Sequence, residues 1–331
     1  MTPLSKPITS YIQEYLPHER RVSRHTRDTY AYSLQLLICF ASEQLKKRPS
    51  DLYLEQLDAS MICSFLKHIE SERKNSAKTR NARLAAIKSF FKYIEYRIPS
   101  AMAQTRQINA IPTKKTDDCL IDYLTREELQ ALLDAPDPQS RTGRRDRAML
   151  HLAFAAGLRV SELVKARIDQ FNLNSDPTIH VIGKGRRERV LPLWKETTKT
   201  VRDWVKVRGD NSTPEMFLNA RGTALTRFGF HYIITKYVKL ASAKQPSLNN
   251  KNISPHVLRH TCALHILQAT NDIRKVALWL GHASIQSTEM YLRADPKKKI
   301  EILNTTVSPS LRSGKFRPPD KLIAMIQKRK L

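Results

Sequence analysis

Tyr291 lies near the end of a chain that also carries, further upstream, Arg159, Lys184, His256, Arg259 and His282. Together these types have one obvious use, the attack of a phenol on a phosphodiester. The ester's negative charge repels a nucleophile, and more charge gathers on its oxygens as a five-coordinate transition state forms. Arg159 and Arg259 can each present a planar fork of donors to the non-bridging oxygens, in bonds that strengthen as those oxygens gain charge. Lysine in either place would lose the fork. A phenol with a pKa of about 10 is mostly protonated at neutral pH, so Tyr291 needs a cationic pocket to act as a nucleophile. No carboxylate cluster has two-metal spacing, and the arginines supply the charge a metal would, so no metal and no cofactor is expected. Tyr11, Tyr30, Tyr93, Tyr232 and Tyr237 recur within helical patterns and read as core or interface aromatics.

The elements needed to position these groups can be read from caps and breakers. His256 and Arg259 are three residues apart, which on a helix puts both on one face. That helix should begin near Ser254 with Pro255 at its first position, so the face lies close to a positive dipole end that favours an anion. His260 immediately follows Arg259 and is expected to face elsewhere, as a structural hydrogen-bonding residue. Thr178–Ile182 and Arg189–Leu193 read as two strands flanking Gly183-Lys184-Gly185-Arg186-Arg187, which places Lys184 at a mobile tip. An ammonium there can reach a departing 5′ oxygen. Upstream, Thr125 and Glu128 form a capping box. A loop with Pro136, Pro138 and Gly143 then precedes a helix from about Arg145 to Ala156, which Gly157 stops. Helices return from Thr226 to about Ala241, Pro255 to about Ala269, Asp272 to Leu280 and Ile285 to about Arg293. The fold class is therefore mainly α with a small antiparallel β-sheet.

The first hundred residues read as helices capped by Ser23, Asp58 and Ser76. On the third, Leu84, Ile87, Phe91 and Ile94 point inward, which leaves Lys78, Arg80, Lys88 and Lys92 outside as candidate DNA-backbone contacts. Pro99, Pro112 and the polar run from Thr113 to Asp118 read as an inter-domain linker. Near the C-terminus, Pro309, Gly314, Pro318 and Pro319 suggest a second linker. Lys321–Gln327 after it is an apolar helical segment too short to stand alone, so it must pack on its own domain or on a neighbouring protomer.

Composition narrows the partner. The 57 Lys and Arg against 31 Asp and Glu give a formal charge of +26 on 331 residues, and the excess is spread along the whole chain. A polyanion is the expected ligand, bound in a salt-sensitive way. With 41% hydrophobic residues the chain can fill two cores, so it is not a disordered polycation. Cys39, Cys63, Cys119 and Cys262 form no Cys-x-x-Cys pair, which favours a reducing compartment over a zinc site or disulfides. No apolar run approaches a membrane span and no signal-peptide pattern opens the chain, so a cytoplasmic, nucleoid-associated protein is expected.

Four boxes in order, Ala156-Gly157-Leu158-Arg159-Val160-Ser161-Glu162-Leu163, His256-Val257-Leu258-Arg259-His260-Thr261, Leu280-Gly281-His282 and Tyr291, resemble the signature of the tyrosine recombinase (phage integrase) family. The resemblance covers essentially the whole chain. It implies a helical core-binding, SAM-like DNA-binding domain over 1–107, a linker over 108–119 and a mixed catalytic domain over 120–305, followed by the tail over 306–331, whose short helix is packed on its own domain or exchanged between protomers. The two domains would form a C-shaped clamp on double-stranded DNA. It further implies a homotetramer on paired DNA sites that cuts and rejoins strands through a 3′-phosphotyrosine at Tyr291 and a Holliday junction, without metal or ATP. In that scheme Lys184 is the general acid for the 5′ oxygen. His256 acts as base toward the phenol or donor to the phosphate, His282 donates to the phosphate, Glu162 supports the site, and Arg186 and Arg187 contact DNA. Integration, excision or transposition of a mobile element is the expected role. The alternatives are chromosome-dimer resolution and a type IB topoisomerase. Arg293 stands where many relatives have a histidine, which leaves the subgroup open.

Overall fold

The computed structural model describes residues 1–117, 121–210, 212–282 and 284–294, with the side chains of Lys184, Arg293 and Ala294 outside that description. The expected C-terminal helical segment and tail, Cys119 and the end of the expected linker also lie outside the described residues. The chain divides into two compact units, Met1–Asp118 and Cys119–Leu331.

The first unit is helical. Helices α1 (Ser5–Ser10, continued as a π-helix over Tyr11–Glu19), α2 (Arg24–Leu45), α3 (Ala59–Ser71), α4 (Ala77–Glu95) and α5 (Met102–Ala110) enclose an apolar core. Ser23, Asp58 and Ser76 cap α2, α3 and α4 by accepting from the backbone N–H three residues on. Helix α4 is central, burying Leu84, Ile87, Phe90, Phe91 and Ile94. Ile108 and Ile111 are buried in the same core, so the unit runs past the expected boundary at 107.

Two of the four bases expected on the outside of α4 are not there. Arg80 is buried, with Nη1 donating to the Pro112 carbonyl at 2.8 Å. Lys88 turns its ammonium onto the carbonyls of Asn109 (2.7 Å) and Ile111 (2.6 Å). The cause is α5, a helix in a stretch expected to be linker. Its last carbonyls and those just beyond need donors, and α4 supplies them. Lys78 and Lys92 are exposed.

The second unit is built on α7 (Arg141–Ala155), whose buried face packs on α9 (Lys195–Arg208) and α11 (Pro255–Thr270). Around it lie α6 (Arg126–Asp134), α8 (Val160–Val164), α10 (Arg227–Ala241), α12 (Ile273–Leu280) and α13 (Gln286–Ala294). Thr125 and Glu128 make the expected capping box, and the Glu128 carboxylate also takes Ser247 Oγ at 2.7 Å and Lys251 Nζ at 2.5 Å. Helix α7 starts four residues before the expected Arg145. Ser140 caps it and Gly143 lies within its first turn, where a Cβ would come 1.9 Å from the Asp137 carbonyl oxygen. Glycine is there to let the loop fold onto the helix start, not to break it.

The sheet is antiparallel in the order β1-β2-β3, with β1 at Phe171–Asn172, β2 at Thr178–Ile182 and β3 at Glu188–Pro192. Val181 pairs with Arg189 and Ile182 with Glu188. The connection is closed by Gly183 N–H to the Arg187 carbonyl at 2.7 Å, and Gly185 (φ 77°) and Arg186 (φ 59°) turn in the left-handed region. Lys184 opens this turn.

Candidate active site

Arg159 is the N-cap residue of α8, and Glu162 at the third helical position holds it twice. The carboxylate accepts the Arg159 backbone N–H at 3.0 Å and its Nη1 at 2.7 Å. It also accepts Arg189 Nη2 at 2.8 Å. Glu162 and Arg189 are both nearly out of solvent, with side chains 4% and 9% exposed. Burial alone would raise the Glu162 carboxyl, but the hydrogen bonds and charges of Arg189 and Arg159 outweigh it and hold the group below the ordinary carboxylate range. Its partners are two arginines, and its work is to fix guanidiniums.

Arg259 is buried on α11, and its guanidinium spans two helix ends. Nη1 donates to the carbonyl of Gly157, just past α7, and Nη2 to that of Leu280, the last residue of α12, at 2.8 Å. Helix C-termini carry unpaired carbonyls and negative partial charge, so they are natural seats for a cation. These bonds use two of the five donors a guanidinium carries. Burial, with Arg159 nearby, pushes the Arg259 pKa down to about 10, which still leaves it charged at neutral pH.

Helix α12 ends at Gly281, left-handed at φ 64°, and His282 follows. His282 Nδ1 is 2.8 Å from Thr288 Oγ1, and Thr288 is fully buried one turn before Tyr291 on α13. The Tyr291 ring is 1% exposed and stacks on the His282 ring, 6.4 Å between centroids and 12° from parallel. Burial pushes its phenol up to about 12, against the lowering influence of Arg259 and Arg159. Its hydroxyl oxygen is 3.0 Å from Nδ1 of His260.

That last contact corrects the expectation that His260 faces elsewhere. Measured from Arg259 it is rotated by about 100°, but measured from His256 it is four residues on, only about 40° around the helix. The i to i+4 spacing from His256 is compatible with this placement but does not by itself show the contact with Tyr291. His256 itself is exposed, and its ring centroid lies 6.4 Å from that of His260. Burial, then His256 and Arg259, lower His260 to about 4, so its imidazole is neutral at neutral pH. Burial and the arginines do the same to His282.

The first unit and the second match two adjoining descriptions. Residues 122–298 match the model of the phage integrase family, and residues 8–97 match that of the phage integrase N-terminal SAM-like domain. The chain belongs to the phage integrase family. A Sinorhizobium fredii protein carrying the name integrase/recombinase y4rC is 40% identical over 98% of this chain and 97% of its own length. The tyrosine recombinase XerC of Pelobacter propionicus is 30% identical over 91% of this chain and 95% of its own. Among solved structures, XerH site-specific recombinase in a post-cleavage complex with palindromic difH shares the fold with a TM-score of 0.67, at 23% identity over 90% of this chain and 84% of that one. The Tn1549 transposon integrase with a circular-intermediate DNA gives 0.66, at 15% identity over 92% of this chain and all of that one.

Within this integrase fold, one region of the second unit brings together Arg159, Glu162, Arg259, His282 and Tyr291, with His256 at its edge. Arg186 and Arg187 are exposed on the hairpin turn beside Lys184. Arg189 was not foreseen. On β3 it shares the inward period with Leu191, whereas Val190 points out at 62% exposed, so the strand carries a charge where an apolar residue belongs. That inversion is the sequence signal of a buried ion pair. Cys262, also buried in this region, has its thiol pushed up to about 12 and is inert core. Among the described residues, no group of three His, Cys, Asp or Glu side chains is placed to hold a metal ion, and no helix is long and apolar enough to cross a membrane.

Proposed function

We propose that the chain is a site-specific DNA recombinase that cuts and rejoins strands through a 3′-phosphotyrosine bond at Tyr291. The observation that carries this reading is the setting of one phenol, buried between the rings of His260 and His282 and under the charge of Arg259 and Arg159. Three chain segments, at Arg159, at Arg259 and His260, and at His282, supply that setting and converge on Tyr291.

In this mechanism a scissile phosphate docks on Arg159, Arg259, His256 and His282, whose donors take up the charge that builds on its non-bridging oxygens. Tyr291 Oη attacks phosphorus, the bond to the 5′ oxygen breaks, and Lys184 gives that oxygen its proton. One phosphodiester replaces another, so the bond energy is kept for rejoining and no ATP is used. Arg186, Arg187, Lys78 and Lys92 contact the DNA backbone. Exchange between two sites proceeds through a Holliday junction on a homotetramer. The integrase names among the relatives, and the transposon source of one structural neighbour, support service to a mobile element.

The test uses fragments of the source DNA in EDTA without nucleotide. Expected are covalent adducts at one preferred sequence, free 5′ hydroxyl ends, and joined products from paired sites. Relaxation of supercoiled plasmid with no preferred site and no joined products would replace recombination with type IB topoisomerase activity.

A further inference from the structure

We propose that His260, rather than His256, is the group that receives the phenolic proton of Tyr291 during strand cleavage, through its Nδ1. The inference deepens the reading above and rests on Tyr291 being the nucleophile.

Reach separates the two histidines. Nδ1 of His260 is 3.0 Å from Tyr291 Oη, within direct hydrogen-bond distance of the atom that must lose its proton. His256 is exposed one turn earlier, its ring centroid 6.4 Å from that of His260, and no direct bond joins it to the phenol. The two histidines therefore have separable places. His256 is open to an incoming phosphate, and His260 is behind it against the nucleophile.

Polarity follows from the partners. In the proposed arrangement the phenol donates and Nδ1 accepts, which puts the ring proton on Nε2. The charged or titratable groups facing the His260 ring are His256 and Arg259 on its own helix, Tyr291 on α13, and His282 just beyond α12. Burial first, then the neighbouring His256 and Arg259, keep His260 neutral and able to accept. A docked phosphate brings a negative charge into this cluster, which stabilises the imidazolium as it forms.

The step balances. The Oη–H bond breaks as the Oη–P bond forms, and the proton passes to Nδ1. The P–O5′ bond breaks with its electron pair on O5′, which is protonated from Lys184. On rejoining, the O5′ hydroxyl returns its proton to Lys184 as it attacks phosphorus, the Oη–P bond breaks with its electron pair on Oη, and His260 gives Oη back its proton.

Two measurements test the proposal. In the DNA-free protein, nitrogen NMR of the histidine rings should show His260 with Nδ1 unprotonated, and Tyr291→Phe should shift that nitrogen while the fold stays intact. A protonated Nδ1 would overturn the assignment without touching the recombinase reading. With DNA, the rate of adduct formation is followed against pH on the duplex that wild type cleaves, carrying sulfur in place of the bridging 5′ oxygen. A thiolate leaves without an acid, so this substrate isolates nucleophile activation. His260→Ala and His260→Gln should each slow it on the order of 100-fold at pH 7. Their rates should climb about tenfold per pH unit where wild type is level, because only phenolate then reacts. Gln restores shape and hydrogen bonding but not basicity, so recovery of the wild-type rate and profile by Gln would mean a packing role and would sink the proposal. Absence of any adduct with wild type would instead remove the recombinase reading, while the NMR result on the free protein would still stand or fall by itself.

Discussion

At the scale of single residues, the two arginines of the proposed site are each held by groups of the protein itself. Arg259 is seated by two helix ends, and Arg159 by the Glu162 carboxylate that Arg189 also grips. Such preorganisation means the charges need not be rearranged when phosphate arrives. Arg189→Met should therefore do two things. It should cost about 3 kcal/mol in urea unfolding, because a buried carboxylate loses one of its partners. It should also slow adduct formation, because Arg159 is no longer fixed. The double change Arg189→Met with Glu162→Met should regain much of the stability but not the rate. An Arg189→Met protein as stable and as fast as wild type would show that the buried pair does not hold the site. The roles proposed for Arg159, Arg259 and Tyr291 were legible as motifs, since each sits in a box with recognisable neighbours. Arg189 and His260 were not, because their parts depend on which atoms meet across α8, β3, α11 and α13.

Elements set the spacing of those atoms. Gly281 ends α12 in the left-handed region, and a Cβ there would stand 3.1 Å from Cδ and 3.2 Å from Nη1 of Arg189. Gly281→Ala should thus cost about 1–2 kcal/mol in thermal unfolding from the backbone alone and also displace Arg189, lowering cleavage. Unchanged cleavage with lowered stability would separate the turn from the site. Most helices of both units could be read from Ser, Thr and Asp caps and from glycine stops. Helix α9 could not, because Thr197, Thr198 and Thr200 are buried and scan as polar. Thr198 and Thr200 satisfy their hydroxyls on the carbonyls of Trp194 and Thr197. Helix α5 was lost between Pro99 and Pro112, and α1 with its π-helical extension was hidden by Pro7 and Pro17. Strand β1, at two residues, has no period to detect.

Taken as a whole, the molecule joins a basic chain to a set of buried and half-buried neutral histidines. His151, His260 and His282 are each lowered to about 4, first by burial. Their folded values lie below the ordinary 6.5, so the unfolded chain binds protons first and stability falls as pH drops from about 6.5 toward 4. The slope is up to about 1.4 kcal/mol per pH unit for each histidine. Glu162 adds a later loss. Its folded value is also depressed, so its contribution is present above the ordinary carboxylate range and disappears as pH falls through the lowered one. The melting temperature should therefore decline between pH 7 and pH 5, before the carboxylates titrate. A flat profile there would contradict the burial of these rings.

If Tyr291 forms the bond to DNA, peptide mapping of the covalent adduct will show it. Wild-type protein trapped on cleaved DNA, then digested, should yield a nucleotide-bearing peptide modified at Tyr291 through a 3′ phosphate. Tyr291→Phe should bind the same DNA with unchanged affinity and give no adduct. An adduct that persists in Tyr291→Phe, or that maps to another side chain, would contradict the account.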